Sequence, residues 1–239
     1  MITEAVILAA GQGTRIRAVS RDLPKPLVTV GGKTLLQSGV DALLSMGIEK
    51  IVCVVGYQHQ EVRDYAAGMP WHDAIVFVQN DEWQKENGLS VYAAREALHG
   101  EFFLLQMVDH LFDAAIYERA LAARHDAGIS YLCIDRDIAG VHDPDDATKL
   151  VVRPDTSIAS IAKNLTEYNA VDCGLFVMHT AIFGFFEQAI RAGRNTISNS
   201  VEDAGRAGSF RTIDITGARW IDVDTEEAWQ EATRRVQGG

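Results

Sequence analysis

The first half of the chain alternates short apolar runs, rich in β-branched residues, with segments that have the spacing of helices. The apolar runs fall at residues 5–10, 51–55, 75–78 and 102–107, and the helix-like segments lie near residues 36–47, 58–66 and 90–98. Strands that are apolar along their whole length are buried on both faces, and a helix after each strand carries the chain back to the same edge of the sheet. We therefore predict an α/β fold with a doubly wound, mostly parallel sheet over residues 1–135.

The pattern changes after Asp135. A polar stretch at residues 140–148 leads into shorter apolar runs at 149–152, 158–161 and 171–178, and helices are predicted near 182–192, 201–207 and 226–236. These runs are typical of partly antiparallel strands, so the whole sheet is expected to be mixed. Because no Pro-rich or Gly/Ser-rich linker separates the halves, we predict one domain over residues 1–239, in which residues 136–239 form a substrate-facing extension.

The charge balance restricts the class of ligand. The chain of 239 residues carries 22 Lys and Arg against 33 Asp and Glu, a net charge of −11, which repels the backbone of a nucleic acid. A small phosphorylated ligand is still compatible with this charge, because a few basic residues and a bound cation can reverse the local field of a cleft. We predict a small phosphorylated partner and no nucleic acid.

The cysteines and the apolar content indicate a compartment. Cys53, Cys133 and Cys173 are widely spaced and lie in apolar stretches, which is typical of buried thiols in a reducing cytoplasm. The N-terminus lacks the pattern of a secretory signal, and no apolar run reaches the roughly 20 residues that span a bilayer. We predict a cytoplasmic protein with no direct membrane insertion; the sequence carries no signal of its oligomeric state.

A glycine loop follows the first predicted strand. Residues 8–15 read Leu-Ala-Ala-Gly-Gln-Gly-Thr-Arg, and backbone N–H groups at such a position can surround phosphate oxygens. A dinucleotide fingerprint needs a small residue three positions after Gly13, where Ile16 stands, which argues against an NAD-dependent oxidoreductase. Residues 32–34, Gly-Lys-Thr, resemble the end of a P-loop, but Leu27 replaces its earlier glycine, so we interpret them as a turn before a helix.

A lysine and several aspartates complete the candidate chemistry. Lys25 lies between two prolines, which restrict its backbone and favour a fixed cation for phosphate, although a solvated surface lysine is the alternative. Asp109 follows an apolar strand, and Asp222 and Asp224 alternate on an extended segment, so that they can offer carboxylates to Mg²⁺. The alternative is capping: Asp109 of the next turn, and Asp224 or Thr225 of the last helix, with the acid at position 227 completing a capping box.

Residues 8–15, with Pro-Lys-Pro-Leu at 24–27 and Gly-Gly-Lys at 31–33, resemble the signature of the sugar-1-phosphate nucleotidyltransferase family. The resemblance implies a Rossmann-like fold and an enzyme that joins a nucleoside triphosphate to a sugar or polyol phosphate with release of pyrophosphate. It implies that the nucleotide is bound by Leu8, Ala9, Ala10, Gly11, Gly13 and Thr14, that Arg15 and Lys25 are catalytic, and that Asp109 and Asp222 hold Mg²⁺, with Asp224 as a further ligand. Val108 departs from the family pattern, in which glycine commonly precedes the metal-binding aspartate.

Residues 86–92, 107–112, 146–149 and 220–225 most resemble the inositol-1-phosphate cytidylyltransferases, which use CTP. This closer resemblance implies that Gln79, Asn87 and Gly88 lie near the base and ribose, that Lys149 binds the acceptor phosphate, and that Glu167 and Asp172 meet polyol hydroxyls. Asn87 as a helix cap and Lys149 as an edge-strand lysine are the structural alternatives. A guanylyltransferase, a cytidylyltransferase for phosphocholine or a pseudo-sugar phosphate, and a non-catalytic nucleotide-sugar sensor remain open.

Overall fold

The computed structural model describes residues 1–238. Its strands are β1 Glu4–Ala9, β2 Thr29–Val30, β3 Lys33–Thr34, β4 Lys50–Val55, β5 Ile75–Gln79, β6 Phe102–Met107, β7 His110–Phe112, β8 Ser130–Asp135, β9 Lys149–Val152, β10 Ile158–Ala162, β11 Ala170–His179, β12 Phe210–Asp214 and β13 Trp220–Asp222. Its α-helices are α1 Arg17–Ser20, α2 Leu35–Ser45, α3 His59–Ala67, α4 Gly88–Ala93, α5 Ala114–Ala122, α6 Ile182–Arg191, α7 Ile197–Arg206 and α8 Glu226–Gly238. Gly239, the last residue of the predicted domain, lies outside the described residues.

The main sheet has nine strands, and its central path runs β10-β9-β11-β6-β1-β4-β5. The strands β6, β1, β4 and β5 are mutually parallel, whereas β11 is antiparallel to β6, β8 and β9. β12 adds to β8 in parallel, and two small antiparallel pairs, β2 with β3 and β7 with β13, stand apart from the main sheet. The predicted fold is confirmed: it is an α/β, Rossmann-like sheet with a partly antiparallel extension.

Alternation along β1 shows how the sheet forms two cores. Every residue of β1 is buried, with Ala5 and Ile7 facing one core and Val6 and Leu8 facing the other. Since successive side chains of a strand point to opposite faces, an apolar strand of this kind needs a cover on both sides. Side chains of α2, α3, α5 and α8 belong to the first core, and those of α4, α6 and α7 to the second.

Several predicted elements differ in extent. The helix expected at residues 90–98 is shorter, because α4 ends at Ala93 and a tighter 3₁₀ turn follows over Ala94–Ala97. The helix expected at 201–207 starts earlier, where Thr196 and Asn199 form a capping box. Residues 32–34 end a β-hairpin just before α2, and the Thr34 hydroxyl accepts the N–H of Gln37 at 3.0 Å, so the predicted turn before a helix is confirmed. The sequence analysis did not predict α5, β7, β8 or β12.

The cysteines behave as predicted. Cys53, Cys133 and Cys173 are free thiols, and all three are buried. Burial raises the pKa of Cys53 to about 12, which keeps this thiol protonated and unreactive at neutral pH. Across residues 1–238, the helices all lack the combination of length and apolar character that a bilayer-crossing helix needs.

Candidate active site

A cleft of about 230 Å³ opens beyond the carboxyl end of β6, between the two halves of the sheet. Both predicted metal aspartates, Asp109 and Asp222, line it, and so do Asp172 and Asn87. Its other lining residues are Met107, His110, Val141, His142, Asp143, Asp146, Ala147, Thr148, Lys163, Gly174, Phe176, Ile197, Ser198, Trp220, Ile221, Asp224, Thr225 and Ala228. In open α/β sheets, ligands bind at this edge, where the loops after parallel strands converge.

The glycine loop lies beside Lys25. Leu8, Ala9 and Ala10 are buried at the end of β1, whereas Gly11, Thr14 and Arg15 are exposed. Gly13 has a left-handed backbone with φ of 69°, and a Cβ at this position would lie 2.8 Å from the Cβ of Lys25. A side chain at residue 13 would therefore be strained and would push the loop away from the lysine.

Lys25 is a buried cation rather than a solvated surface lysine, which was the alternative interpretation. It is only 6% exposed, and its ammonium lies 2.5 Å from Oδ2 of Asp109 and also contacts Asp224. Pro24 before it is extended, and Pro26 after it belongs to a tight turn over Lys25–Leu27. The prolines thus hold a cation beside the candidate metal ligands.

The small sheet of β7 and β13 brings Asp109 and Asp222 together. Asp222 pairs directly with His110 in this sheet, and the N–H of Val223 donates to the carbonyl of Asp109 at 2.9 Å. One ligand atom each from Asp109, His110 and Asp222 lie within 4.8 Å of one another, and Asp146, Asp222 and Asp224 form a second such group. Oδ1 of Asp222 is buried without a hydrogen-bond partner among the described residues. Carboxylate oxygens in this arrangement fit a hard divalent cation such as Mg²⁺.

The aspartates differ in their electrostatics. Burial tends to raise the pKa of Asp109, but the Lys25 ammonium and His110 hold it well below its usual range. The pKa of Asp222 is raised by burial and by the charge of Asp109, against the opposing effect of His110. Burial lowers the pKa of His110, but Asp222 and Asp109 together raise it to about 9. Lys25 and His110 therefore interact electrostatically with the candidate metal-binding carboxylates.

The capping alternative is wrong for Asp224 and correct for Thr225. The Thr225 hydroxyl accepts the N–H of Ala228 at 3.1 Å and caps α8. With Thr225 as the N-cap, the third residue of α8 is Ala228, and a capping box requires Glu or Gln at that third position. Glu227 is the second residue of the helix and therefore does not complete a capping box. Asp224 instead contacts Lys25 and Arg15, which places it with the cations.

Val108 stands where the family commonly has glycine, and the local backbone and packing accommodate its side chain. Its N–H donates to the carbonyl of Leu8 at 3.1 Å, and its side chain is buried. Its φ is not positive, so the backbone here does not require glycine.

Lys163 is a cleft residue that the sequence analysis missed. Its ammonium lies 3.0 Å from Oδ1 of Asp146, whose Oδ2 lies 2.7 Å from Nη1 of Arg15. Asp146 therefore links a cation of the glycine loop to a cation on the opposite wall. In sequence, Lys163 is an ordinary polar residue at the end of β10, and no local motif marks it.

Of the predicted acceptor residues, only Asp172 lines the cleft. Its Oδ1 accepts the N–H of Gly174 at 2.7 Å, and burial raises its pKa to about 6. Lys149 is buried and is not among the residues that line the cleft; its ammonium donates to the carbonyls of Asp145 at 2.9 Å and Lys163 at 3.0 Å. It is not an edge lysine either, because β9 pairs with strands on both sides. Glu167 is exposed and does not line the cleft.

Of the residues predicted to lie near the base and ribose, not all line the cleft. Asn87 lines the cleft, and its Oδ1 accepts the N–H of Ile197 at 3.0 Å instead of capping α4. Gly88 donates its N–H to Asn195 at 2.8 Å, and a Cβ on it would overlap that carbonyl. Gln79 is exposed at the end of β5, where its amide donates to Asp81 at 2.7 Å, and it does not line the cleft.

Comparison with known proteins assigns the family. The sequence model of the MobA-like NTP transferase domain matches residues 5–174, which include the glycine loop, Lys25 and Asp109. The chain belongs to the MobA-like NTP transferase domain family. The match covers β1 to β10 and the first half of β11, so the MobA-like family assignment rests on part of the cleft and does not extend to Asp222 or Asp224.

Relatives of this MobA-like chain include several enzymes. A bifunctional IPC transferase and DIPP synthase of Rubrobacter xylanophilus is 33% identical over 240 residues, which cover 98% of this chain and 52% of that protein. A UTP–glucose-1-phosphate uridylyltransferase of Haloferax volcanii is 31% identical over 252 residues, covering 98% of this chain and 96% of that protein. The chain spans about half the length of the bifunctional relatives it matches.

Among solved structures, the inositol-1-phosphate CTP transferase from T. maritima superposes with a TM-score of 0.84 at 24% identity, over 100% of this chain and 97% of that one. At this identity the likeness concerns the fold. The resemblance drawn from the sequence motifs, to nucleotidyltransferases and most closely to those of the inositol type, is confirmed by these comparisons.

Proposed function

We propose that the chain is a Mg²⁺-dependent nucleotidyltransferase that joins CTP to a phosphorylated polyol, with inositol-1-phosphate as the favoured acceptor, to give a CDP-polyol and pyrophosphate. The observation that carries this proposal is the meeting of Lys25 and Arg15 with Asp109, Asp222 and Asp224 at one end of the cleft. Fixed cations beside candidate metal carboxylates are what transfer of a nucleotidyl group requires.

The triphosphate is proposed to bind along the glycine loop. Backbone N–H groups around Gly11 and Gly13 face its oxygens, and Lys25 and Arg15 exchange their carboxylate partners for phosphate. Asp109 and Asp222, with Asp224 beside them, would hold the Mg²⁺, which would supply positive charge to offset that of the phosphates. The two side-chain cations then stabilise the charge that grows at the α-phosphate.

The reaction needs no nucleophile from the protein. A phosphate oxygen of the acceptor attacks the α-phosphorus in line, forming one P–O bond, while the bond from that phosphorus to the bridging oxygen of the β-phosphate breaks. Pyrophosphate leaves with the electron pair of that bond. Since the acceptor phosphate is already anionic at neutral pH, the chain supplies orientation and charge rather than a general base.

We propose Lys163, not Lys149, as the cation for the acceptor phosphate, because Lys163 lines the cleft, whereas Lys149 is buried and its ammonium is engaged by backbone carbonyls. Asp172 is proposed to accept hydrogen bonds from polyol hydroxyls, with Thr148 and Ser198 on the same cleft surface. Carboxylate and hydroxyl groups of this kind suit a ligand that carries several hydroxyls.

The names of the relatives favour this pair of substrates within the class. The bifunctional relatives are described as IPC transferases, and the T. maritima structure is that of an inositol-1-phosphate CTP transferase. We further propose a single cytoplasmic domain in which residues 1–135 bind the nucleotide and residues 136–239 bind the acceptor.

The test is a pyrophosphate-release assay with Mg²⁺ that crosses CTP, GTP, UTP and ATP against inositol-1-phosphate, phosphocholine and hexose-1-phosphates. Asp109→Ala is the inactive variant, and Asp113→Ala, an exposed aspartate paired with Arg219, is its matched control. Release with CTP and inositol-1-phosphate that only Asp109→Ala abolishes supports the full proposal. Release with another pair keeps the chemistry and replaces the substrates, whereas nucleotide binding without release with any pair favours the non-catalytic sensor.

A further inference from the structure

We infer that His110 is a positioning residue that holds the carboxylates of Asp109 and Asp222 for cation binding, and that Trp220 and Gly174 fix its ring. The inference rests on the proposed function, since it concerns the metal ligands of that site. It assigns a role to a histidine that the chemistry of the reaction does not itself require.

The imidazole lies beside both carboxylates and lines the same cleft. Nδ1 of His110 lies 2.7 Å from Oδ1 of Asp109 and 3.9 Å from Oδ1 of Asp222. The opposite oxygen of Asp109, Oδ2, lies 2.5 Å from the Lys25 ammonium. The two oxygens of Asp109 are thus divided between a histidine on one side and the cleft cation on the other.

Two neighbours restrict the rotation of the imidazole. The ring of Trp220 is nearly parallel to that of His110, with an interplanar angle of 3° and centroids 6.0 Å apart. Gly174 packs against the same ring, and a Cβ on this glycine would lie 2.5 Å from Cδ2 of His110. Gly174 also has a φ of 82°, so both the backbone and the histidine exclude a side chain there.

Trp220 is itself held in place. Its indole N–H donates to Oδ2 of Asp135, at the end of β8, at 3.0 Å. The contacts therefore run from β8 through Trp220 and His110 to Asp109, and each partner restricts the next. A ligand carboxylate that is already oriented loses less conformational entropy when a cation binds, and such supporting partners are commonly worth about 10- to 100-fold in metal affinity.

The chain offers a matched control for His110. His179 has the same degree of burial, with 14% of its side chain exposed against 12% for His110. It also faces a carboxylate, Glu101, at 3.3 Å and an aromatic ring, Phe102, at 4.9 Å, but it does not line the cleft. Replacing it tests the general cost of losing a packed histidine.

The experiment measures Mn²⁺ affinity by electron paramagnetic resonance, with and without CTP, together with the Mg²⁺ dependence of turnover. His110→Phe keeps a planar ring and removes the donor, whereas His110→Asn offers an amide donor near the position of Nδ1. We expect His110→Phe to weaken Mn²⁺ binding by about 10- to 100-fold, His110→Asn to recover most of that loss, and Gly174→Ala to weaken binding as well. His179→Phe is expected to match the wild type.

Unchanged Mn²⁺ affinity in folded His110→Phe, equal losses in the Phe and Asn variants, or a wild type that binds no Mn²⁺ would each overturn the inference. The melting temperature of each variant establishes that it is folded. The proposed function fails separately: no turnover with any substrate pair, while the expected order of Mn²⁺ affinities is retained, removes the reaction and leaves the positioning role in place.

Discussion

Two lysines in the acceptor half show how the surroundings of a side chain decide its role. Lys149 was predicted to bind the acceptor phosphate from its place in a sequence segment, yet its ammonium is surrounded by carbonyl oxygens. Lys163 carries no motif and lies on the cleft. A sequence records the residue type, but which of two nearby lysines reaches a cleft depends on how β9 and β10 turn, and no local pattern encodes that turn.

Substitution of Lys163 should therefore affect acceptor binding, whereas substitution of Lys149 should affect stability. Lys163→Ala removes an exposed cation, so we expect a raised KM for the acceptor and a melting temperature close to that of the wild type. Lys149→Ala removes a buried side chain and the donor shared by two part-buried backbone carbonyls, so we expect a loss of about 1–3 kcal/mol of unfolding free energy. Steady-state kinetics and thermal unfolding of both variants test this; a raised acceptor KM confined to Lys149→Ala would contradict it.

Asp172 makes a prediction about pH. Its pKa is raised to about 6 by burial, against 3.8 for an ordinary aspartate, so the folded protein binds this proton more tightly than the unfolded chain does. The stability that this proton contributes is fully present below about pH 4 and is lost as the pH rises through about 6. Asp172→Asn removes the carboxylate and should raise the melting temperature at pH 8, with the gain disappearing near pH 4.

Asp155→Asn is the control for this prediction. Asp155 lies in an exposed turn, where the Ser157 hydroxyl and N–H lower its pKa, so its substitution should give no gain at pH 8. Melting curves of both variants between pH 4 and pH 8 decide the matter, and a gain for Asp172→Asn that is equal at both ends of this range would count against the assignment.

At the scale of elements, most of the apolar strands were predictable, although β8, which is buried along its whole length, was missed. β1, β4 and β6 are buried on both faces, so their composition alone identifies them. β12 alternates buried and exposed residues beside β8, and β7 has only three residues, so neither has a continuous apolar run. α4 begins at Gly88, which packs directly against the distant segment at Asn195, and it ends at Ala93, where a 3₁₀ turn follows. The contact with Asn195 is a tertiary constraint that helix propensity does not express.

That packing gives a prediction for two helical glycines. Gly88 begins α4 where a Cβ would overlap the carbonyl of Asn195, whereas Gly184 lies in α6 with open space around it. We expect Gly88→Ala to lower the melting temperature and to raise the KM for the nucleotide, because α4 must move. Gly184→Ala should raise stability by about 0.5–1 kcal/mol, since alanine loses less backbone entropy in a helix. Equal effects in the two variants would show that helix propensity alone governs both positions.

At the scale of the whole molecule, the cleft joins charges from both halves of the chain. Arg15 and Lys25 come from the parallel half, and Asp146 and Asp224 come from the other half. The sequence motifs identified Arg15, Lys25 and Asp224, because they lie in the recognisable segments. The pairing of Asp146 with Arg15 could not be predicted, since 131 positions separate them and only the folded sheet brings them together.

This pairing predicts how free nucleotide binds. Asp146 pairs with both Arg15 and Lys163, so Asp146→Asn should free Lys163, leave Arg15 with Asp224 as its remaining carboxylate partner, and strengthen the binding of CTP without metal by a factor of about three or more. Asp143→Asn is the matched control, because Asp143 lines the same cleft without forming either ion pair. Calorimetric titration with CTP in a chelating buffer measures the affinity of each variant. An equal increase in CTP affinity in the two variants would show that the change in net charge, and not the loss of the ion pairs, is responsible.

The ion pairs across the cleft also bear on which species the protein accepts. Because Arg15, Lys25 and Lys163 are paired with Asp109, Asp146 and Asp224, a free divalent ion or a bare triphosphate would have to break some of these ion pairs and leave one kind of group without its partner. A triphosphate that arrives with its metal can satisfy both kinds of group at once. The cleft should therefore discriminate by charge balance and bind the metal–nucleotide complex more tightly than either of its separate components.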